Sequence, residues 1–459
     1  MLTYQDFISA PDRVKFIAEL ITEYRRGETY RLAKLADLYD RRRNKTINEA
    51  YKKLYMPNGA AVQDFTATNT QIASNFFAQL NTQRCNYLLG NGVTFENEGV
   101  KDRLGKNFDK DIKNAAYRAL IHGVSYLFFN VDRIHVFSAT EFIPLVDEET
   151  SAIRAGLRFW QLEDTKPMIA VLYEEDGYTK YRRDSNEKTD FSVVAEKRAY
   201  KLKVKKTPVD AEEEIVSEEN YSTLPIIPLY GNRIHQSTIV GMQQSIDSYD
   251  LILSGFANSL EDCADVYWLL ENYGGMNDAE LAKFRDRIKL QHIAQVDTQS
   301  GGKVGAYTQE VPHEGRRAFL ELIKRDIYES FGALDVSSIS AAAKTATEIN
   351  AAYQALDDAT DELEYEIIET VHQLLALIGV EDTPQFKRNR IANQMEQVEM
   401  VMAESAYLDD QTVLELLPNI TPEMVEAILS RRDANAMTTL SSMEKVDEAM
   451  EEQEEETEE

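Results

Sequence analysis

The sequence predicts an α+β fold that is mainly helical, and three stretches carry this prediction. Between Gly315 and Ser330, apolar residues recur at the three- and four-residue spacing of one helical face. The same spacing continues from Thr345 to Gly379, which corresponds to a helix of roughly 50 Å at about 1.5 Å per residue. Between Tyr126 and Arg182 the apolar period changes towards two, which is typical of an antiparallel meander with hairpin turns.

The N-terminal region is predicted to begin with helices. The segment Ser9–Asp12 is typical of a helix start, and the helix that follows carries an apolar face that includes Ile17 and Leu20. Polar helices continue to about Arg43. A stronger helix is predicted from Asn69 to Leu89, after which glycines 90 and 92 form a turn before a short strand, Val93–Phe95.

The second half of the chain alternates long helices with smaller segments. Apolar residues at helical spacing predict another long helix from Ile239 to Leu260. Glycine pairs and a short helical pattern, Asp278–Ile288, predict a small α/β module between Tyr273 and Pro312. Val209–Asn220 is acidic and is predicted to be loose, and short helices are expected between Asp382 and Arg432.

A segment of small residues, Ala333–Lys344, separates the two helices of the first paragraph. Its side chains offer little burial to offset the entropy of ordering, so the segment is predicted to be mobile. Thr345 and Glu348 have the spacing of a capping box, in which each side chain satisfies a backbone amide of the other. This pair is therefore predicted to mark the start of the long helix.

Length and composition indicate a folded protein of several domains. The chain has 459 residues, of which 43% are hydrophobic, which predicts two to four domains with substantial cores. Cys85 and Cys263 are too few for a disulfide framework and are interpreted as core residues in a reducing compartment. We expect neither a signal peptide nor a membrane helix, since no segment has the required apolar pattern.

The charge is strongly negative. The net charge is −29, and the segment Met443–Glu459 contains ten acids and one lysine. Such a surface disfavours ordinary DNA binding through basic patches. Lys201, Lys203 and Lys205 alternate like a nucleic-acid stripe, but a solvated strand face with acids close behind is the preferred interpretation. The terminal acidic run is predicted to be disordered.

Motifs that would indicate catalysis are missing from the sequence. Gly99–Lys106 is one residue too long for a phosphate-binding loop and lacks the hydroxyl that would bind magnesium. The six histidines are scattered, and neither a zinc motif nor a nucleophile–histidine arrangement can be assigned. We therefore predict a protein that is not an enzyme and has no cofactor and no metal site.

Carboxylates are frequent on the long helix, and they allow two interpretations. Asp357, Asp358, Asp361, Glu362, Glu364 and Glu366 surround most of this helix. A metal-dependent nuclease or hydrolase could use Asp361 and Glu364, but no Glu-x-x-His partner is present on the helix. A solvated face is therefore preferred.

Three local motifs, taken in order, resemble the tailed-bacteriophage portal proteins, and most closely the portal family typified by phages of Gram-positive bacteria. The first is the helix, turn and strand from Asn75 to Phe95, which contains Gln83-Arg84-Cys85-Asn86-Tyr87. The second is the Leu224–Pro225 strand followed by Tyr249, Ser254 and Asn258–Asp262. The third is Phe386–Asn389 with Leu408–Thr412 and Leu416–Pro418. Together they extend from about Phe65 to Ile420.

The resemblance implies a portal-type fold with long stem and wing helices, a β-rich wing, a small α/β clip and a helical crown. The implied divisions are the wing at 1–235, the first stem helix at 236–272, the clip at 273–312, the second stem helix at 313–332, the tunnel loop at 333–344, the long wing helix at 345–379, the crown at 380–436 and the acidic tail at 437–459.

The same resemblance implies which residues form the functional surfaces. The tunnel loop facing DNA would contain Val336, Ser337, Ser338, Ile339, Ser340 and Lys344, with Thr345 and Glu348 as the cap behind it. The clip docking surface would contain Asp278, Glu280, Lys283, Arg285 and Arg287. Because Lys344 is the only basic residue of the loop, a ring of copies would form one weak positive ring.

The implied function is a ring, commonly of twelve subunits, at one capsid vertex of the virion, through which double-stranded DNA is packaged and later ejected. Implied partners are the large terminase subunit, a head-completion or adaptor protein, scaffolding protein and the major capsid protein, with assembly in the host cytoplasm and no membrane. An acidic channel would let a polyanion slide because close phosphate contacts are costly. The alternative is an acidic, helix-rich scaffold or adaptor that binds proteins without contacting DNA.

Overall fold

A computed structural model describes most of the chain. The described residues are 2–56, 59–65, 67–97, 99–184, 190–206, 213–262, 267–271, 279–280, 282–283, 303–307, 313–336, 346–390, 398, 401–417, 420, 424–425 and 427–432. The chain divides into two compact units, of which the first contains residues 1–336 and 353–389 and the second contains residues 337–352 and 390–459.

Helices and strands alternate in blocks along the chain. The helices are α1 Tyr4–Ser9, α2 Arg13–Arg26, α3 Glu28–Asp40, α4 Lys45–Asn48, α5 Phe76–Leu89, α6 Val100–Leu104, α7 Phe108–His122, α8 Gln243–Asp262, α9 His313–Phe331, α10 Ala346–Ile378 and α11 Asp410–Leu416.

The strands are β1 Lys53–Tyr55, β2 Ala61–Gln63, β3 Val93–Thr94, β4 Val124–Asn130, β5 Arg133–Ser138, β6 Phe142–Val146, β7 Ile153–Trp160, β8 Met168–Glu174, β9 Gly177–Arg183, β10 Ser192–Arg198, β11 Lys201–Lys206, β12 Glu213–Glu219, β13 Ile226–Tyr230, β14 Tyr267–Glu271, β15 Lys303–Tyr307 and β16 Gln385–Phe386. This mixture of helix and strand confirms the predicted α+β class.

One core of the first unit lies between the N-terminal helices and a five-stranded antiparallel sheet. The sheet has the order β10-β9-β8-β7-β6. Asp12 caps α2 by accepting from the amides of Val14 and Lys15. Ile17 and Leu20 of α2 pack with alternate residues of the sheet, among them Leu157 on β7. The predicted apolar face of this helix is confirmed.

A second core surrounds α7 and a three-stranded sheet of order β13-β4-β5. Four residues of α10, namely Leu363, Ile367, Val371 and Leu374, lie in this core at helical spacing. The prediction of one continuous meander was therefore wrong in part, because β4 and β5 pair with β13 in a separate sheet. That pairing joins segments about a hundred residues apart in sequence, which period-two patterns cannot reveal.

The acidic stretch that was predicted to be loose instead forms strand β12, which pairs with β11. The register sets Lys201 opposite Glu219, and the ammonium of Lys203 lies 3.8 Å from a carboxylate oxygen of Glu219. Opposite charges on facing strands favour pairing. The alternating lysines therefore lie on a strand with acids beside them, as predicted, and the nucleic-acid stripe is not supported.

A third core joins α5 to the two long helices α8 and α9. Phe76 and Leu80 of α5 pack with Ile246 of α8 and Ile327 of α9. Cys85, on the opposite side of α5, is buried in the core around α7, as predicted. Cys263 lies outside the described residues.

The second unit contains α11, which begins after Asp409. The Asp409 carboxylate accepts from the amide of Thr412 at 3.2 Å, and Arg432 bonds Asp410. These capping contacts explain the Leu408–Thr412 motif locally. None of the helices among the described residues has both the length and the apolar composition needed to cross a bilayer.

Candidate functional site

The two long helices α8 and α9 run antiparallel and contact each other along their length. At one end the Ser245 hydroxyl donates to Asp326 at 3.1 Å, and at the other Arg316 donates to the Ser259 hydroxyl at 2.8 Å. The segment between them returns through β14 and β15, which pair with each other. The chain therefore leaves along one helix and comes back along the other.

Part of the apolar stripe of this helix pair is not buried. Ile323, Ile327 and Phe331 of α9 are buried, whereas Phe319 and Leu322 are 48% and 50% exposed. Leu260 on α8 is also exposed. The predicted single face of α9 is thus split, because the side that carries Ile323, Ile327 and Phe331 packs in the core with α5 and α8, whereas the side that carries Phe319 and Leu322 stays exposed.

A ladder of polar side chains on α8 fixes an extended segment of the chain beside it. Asp250, Ser254 and Asn258 are spaced four residues apart and are buried. They accept hydrogen bonds from the amides of Ser74 at 2.9 Å, Ile72 at 2.9 Å and Thr70 at 2.7 Å. These bonds hold residues 70–74 extended, so α5 begins at Phe76 and the predicted start at Asn69 was wrong.

The buried carboxylate of this ladder has a raised pKa. Burial of Asp250 disfavours its charged form, while hydrogen bonds from Asn44 and Ser74 act in the opposite direction, and the balance raises the pKa. The neighbouring Asp247 accepts from the hydroxyls of Tyr39 at 2.6 Å and Thr46 at 2.7 Å. The polar face of α8 is therefore satisfied by the N-terminal helices and the segment before α5.

Helix α5 holds the C-terminal end of α9 in place. Gln83 donates to the carbonyl of Leu334 at 2.8 Å and accepts from the amide of the same residue at 3.0 Å. The neighbouring Arg84 donates to the carbonyl of Phe331, and its guanidinium carbon lies 4.3 Å from the centroid of the Phe331 ring. Burial lowers the pKa of Arg84 to about 10. Since C-terminal helix carbonyls lack intrahelical donors, Arg84 supplies a bond that the helix end needs, and Gln83 fixes the chain three residues after it.

Gly332 makes the turn that leaves α9. Its φ of +63° lies in the left-handed region, where a glycine is favoured. An added Cβ would lie 2.9 Å from the carbonyl oxygen of Ala355 and 3.0 Å from the Cβ of Ala359, both on α10. The position thus requires glycine for its conformation and for the close approach of α10.

The same helix α5 also holds α10, through Tyr87. The Tyr87 ring stacks on Tyr353 at 5.6 Å, and its hydroxyl donates to Asp357 at 2.6 Å. Arg388 donates to Asp357 at 2.8 Å, to Glu364 at 2.9 Å and also to Asp361. The amide of Asn389 donates to the Tyr87 carbonyl at 2.8 Å. Helix α5 therefore binds the chain on both sides of residues 335–352.

The arginine at the centre of this cluster is strongly held in its charged form. Burial alone would lower the pKa of Arg388, but hydrogen bonds to Asp361, Glu364 and Asp357 raise the pKa above its usual value. The prediction of a solvated face was therefore wrong in part, because Asp357 and Glu364 are largely shielded from solvent, whereas Asp361 is half exposed. The three carboxylates lie at i, i+4 and i+7 on one side of α10. The Arg388 guanidinium occupies the space where a metal ion would have to lie.

The predicted site residues are only partly described by the structure. Val336 lies after the end of α9 and is exposed. Ser337, Ser338, Ile339, Ser340, Lys344, Thr345, Asp278, Arg285 and Arg287 lie outside the described residues, as does the side chain of Glu348. Glu280 and Lys283 are helical and exposed. In the part of the chain that is described, no group of three His, Cys, Asp or Glu side chains could hold a metal ion.

Sequence reasoning missed the roles of Gln83, Arg84, Tyr87 and Arg388. One signal was available for Arg84, because it is the one charged residue of helix α5, and a charge among large apolar side chains predicts a buried partner. Its partner is a carbonyl 247 residues away, which no local pattern identifies. For Arg388 the signal was the excess of acids on α10, which needed a nearby cation.

Comparisons with known proteins extend over nearly the whole chain. The family model described as "Phage portal protein, SPP1 Gp6-like" matches residues 21–459. A portal protein of Clostridium phage phiCD119 is 25% identical over 403 residues, which cover 80% of this chain and 85% of that protein. A portal protein of Bacillus phage SPP1 is 24% identical over 310 residues, which cover 63% of this chain and 58% of that protein.

Proposed function

Because the chain belongs to the phage portal protein family of the SPP1 Gp6-like type, we propose that its copies form a closed ring with a central channel for double-stranded DNA. Membership places the protein at the vertex of a phage capsid, as a structural component of the virion. In the proposal, DNA is packaged and later ejected through the channel. The ring also docks the large terminase subunit and a head-completion protein.

The exposed apolar side chains of the paired long helices carry this proposal. Phe319 and Leu322 are three residues apart on α9 and therefore face the same direction. Burying half of a large apolar side chain contributes on the order of 1 kcal/mol, so repeated contacts between neighbouring copies add up to a stable interface. In a head-to-tail arrangement every copy uses the same two surfaces, and a suitable rotation closes the ring.

The wing, stem, clip and crown assignments belong to the same proposal. Helices α8 and α9 are the two stem helices, and the strands between them lead to the clip, where Glu280 and Lys283 form part of the docking surface. Residues 1–235 and α10 form the wing. The crown is assigned to residues 380–436, although Gln385 and Phe386 pair with β3 and the amide of Asn389 donates to the Tyr87 carbonyl, all within the first unit.

Replacing Phe319 and Leu322 together by glutamate should leave the subunit folded and prevent ring formation. Charged side chains at these positions would be desolvated in a subunit interface but remain in water on a monomer. Sedimentation velocity and negative-stain electron microscopy of the wild type should show a ring with a central pore, and the variant should sediment as a monomer with an unchanged circular dichroism spectrum.

A matched control places the same two charges elsewhere. Leu162 and Ile234 are 82% and 65% exposed, and their double replacement by glutamate should leave the ring intact. A wild-type chain that remains a folded monomer at micromolar concentration would contradict the proposed assembly, and so would rings formed equally well by the Phe319 and Leu322 variant.

The tunnel-loop assignment can be tested by crosslinking. A Ser340→Cys chain, with its native cysteines replaced by serine and carrying a DNA-reactive crosslinker, should form adducts with DNA in packaged particles. The proposal places this loop against the DNA, with α5 fixing the chain on both sides through Gln83, Arg84 and Tyr87. A Ser151→Cys chain, modified on an exposed turn of the wing, should give no adduct. Adducts absent at both positions in intact particles would contradict the loop assignment while leaving ring formation untouched.

A further inference from the structure

The structure contains a groove of about 520 Å³ between the two main sheets of the first unit, and the proposed channel does not use it. Its floor is aromatic, with Phe128, Phe137, Tyr173 and Tyr200 all buried. Its walls come from β4 and β5 on one side and from one face of β7 to β10 on the other. The opposite face of the five-stranded sheet packs on the N-terminal helices.

The strand register gathers cations on this face. Arg158, Val171, Lys180 and Ala195 are consecutive partners across β7 to β10 and form one row. Tyr173, Tyr178 and Arg198 form the neighbouring row. Residues on one face of a sheet lie close together when they share or adjoin a row. Three cations therefore face one groove in a chain whose net charge is −29.

Among the residues that the structure describes, the lining of the groove holds no carboxylate. Arg158 lies between the rings of Phe137 and Trp160, at 4.3 and 4.7 Å from their centroids, and it donates to Glu141 at 3.2 Å. Lys180 and Arg198 form no ion pair with any described residue. The two free cations at the rim and the aromatic floor thus match a ligand that is both anionic and aromatic.

The edge of the sheet distinguishes between two kinds of ligand. Strand β10 lies at the edge and pairs with β9 on one side only within the described part of the chain. Val193 and Val194 on this strand are exposed. An extended peptide can add to such an edge through backbone hydrogen bonds, whereas a nucleic acid cannot. The other edge strand, β6, is contacted by α1, and Gln5 of α1 donates to Asp147, directly after β6, at 2.9 Å.

We propose that this groove binds an acidic, tyrosine- or phenylalanine-containing peptide segment of a partner protein, which pairs with the free edge of β10. The carboxylates of the segment bind Lys180 and Arg198, and an aromatic side chain packs beside Tyr178, the partner of Arg198 on the neighbouring strand β9. The groove is thus a docking surface for a protein partner, separate from the DNA channel and from the clip.

The test uses the full-length protein and a fluorescein-labelled octapeptide of six glutamates and two tyrosines, measured by fluorescence anisotropy at physiological ionic strength. The wild type should bind this peptide saturably. The Lys180→Gln/Arg198→Gln double variant should bind at least about tenfold more weakly, the effect of losing a charge-assisted hydrogen bond. A Lys203→Gln/Arg154→Gln control removes the same charge outside the groove and should stay within about twofold of the wild type.

Several outcomes would overturn the proposal. These are the absence of saturable binding, an equal loss in the control variant, and equal binding of a glutamate–glycine octapeptide that lacks aromatic side chains. Tighter binding of a labelled oligothymidylate that is lost in the Lys180→Gln/Arg198→Gln variant would assign the groove to single-stranded nucleic acid instead. Because the ring is monitored separately by sedimentation, failure here would leave the proposed channel unaffected.

Discussion

Replacing Arg388 by alanine should lower the free energy of unfolding by about 2 to 3 kcal/mol. The guanidinium bonds three carboxylates on one side of α10, and its removal leaves Asp357, Asp361 and Glu364 close together without a cation. Breaking a buried ion pair in this way costs about 3 to 5 kcal/mol, and we reduce that figure because Asp361 is half exposed. Urea denaturation followed by circular dichroism measures the loss.

The neighbouring Lys387 provides a matched control for this change. It is exposed, so Lys387→Ala removes the same charge at almost the same place in the sequence. Lys387→Ala should change the free energy of unfolding by no more than about 0.5 kcal/mol. Adding Asp361→Asn to the Arg388→Ala chain should recover part of the stability, since one of three like charges is removed. An equal loss in both single variants would contradict the assigned role of Arg388.

The expected effect on function is larger than the loss of stability suggests. Tyr87 and Arg388 share Asp357, so the cluster fixes α10 against α5 just after the segment proposed to face DNA. With Arg388 absent, rings should still form through the exposed faces of the stem helices. We expect these rings to package DNA less efficiently, because the first turns of α10 are no longer fixed against α5. The defect in packaging should therefore occur without a loss of ring assembly.

The sequence identified the elements whose signals are local. The stripes of α9 and α10 and the capped α2 follow from residues within a few turns of one another, and the structure confirms those helices. The start of α5 was misplaced because amides at 70, 72 and 74 bond side chains of α8, about 180 residues later. Helical periodicity carries no information about such a partner.

The fixation of the proposed loop could not be predicted for the same reason. Gln83 and Arg84 bond carbonyls at 334 and 331, and Tyr87 bonds a carboxylate at 357. The sequence motif that contains these residues indicated the family resemblance. Its physical role, which is to bond both the end of α9 and the side of α10, is visible only in the folded structure. The groove is a further case, since Lys180 and Arg198 share a face only through the register of β9 and β10.

Replacing Gly332 by alanine should lower the free energy of unfolding by about 3 kcal/mol. The left-handed φ of +63° costs an alanine about 1 kcal/mol. The remainder arises from crowding, because the new Cβ would lie 2.9 Å from the Ala355 carbonyl oxygen and 3.0 Å from the Ala359 Cβ. Neither α9 nor α10 can move away without disturbing the buried residues on both.

Gly379 separates these two contributions. Its φ is +66°, nearly the same as that of Gly332, but an added Cβ there meets no heavy atom of the described residues within 4 Å. Gly379→Ala should therefore cost only about 1 kcal/mol, and the difference between the two variants measures the close approach of α9 and α10. If thermal or urea denaturation shows the same loss of unfolding free energy in both variants, the close approach of α9 and α10 at Gly332 does not contribute to stability. A larger loss of unfolding free energy in Gly332→Ala would mean that packing, as well as the hydrogen bonds from Gln83 and Arg84, fixes the start of the proposed tunnel loop. Gly332→Ala should then impair DNA packaging in assembled rings more than Gly379→Ala does.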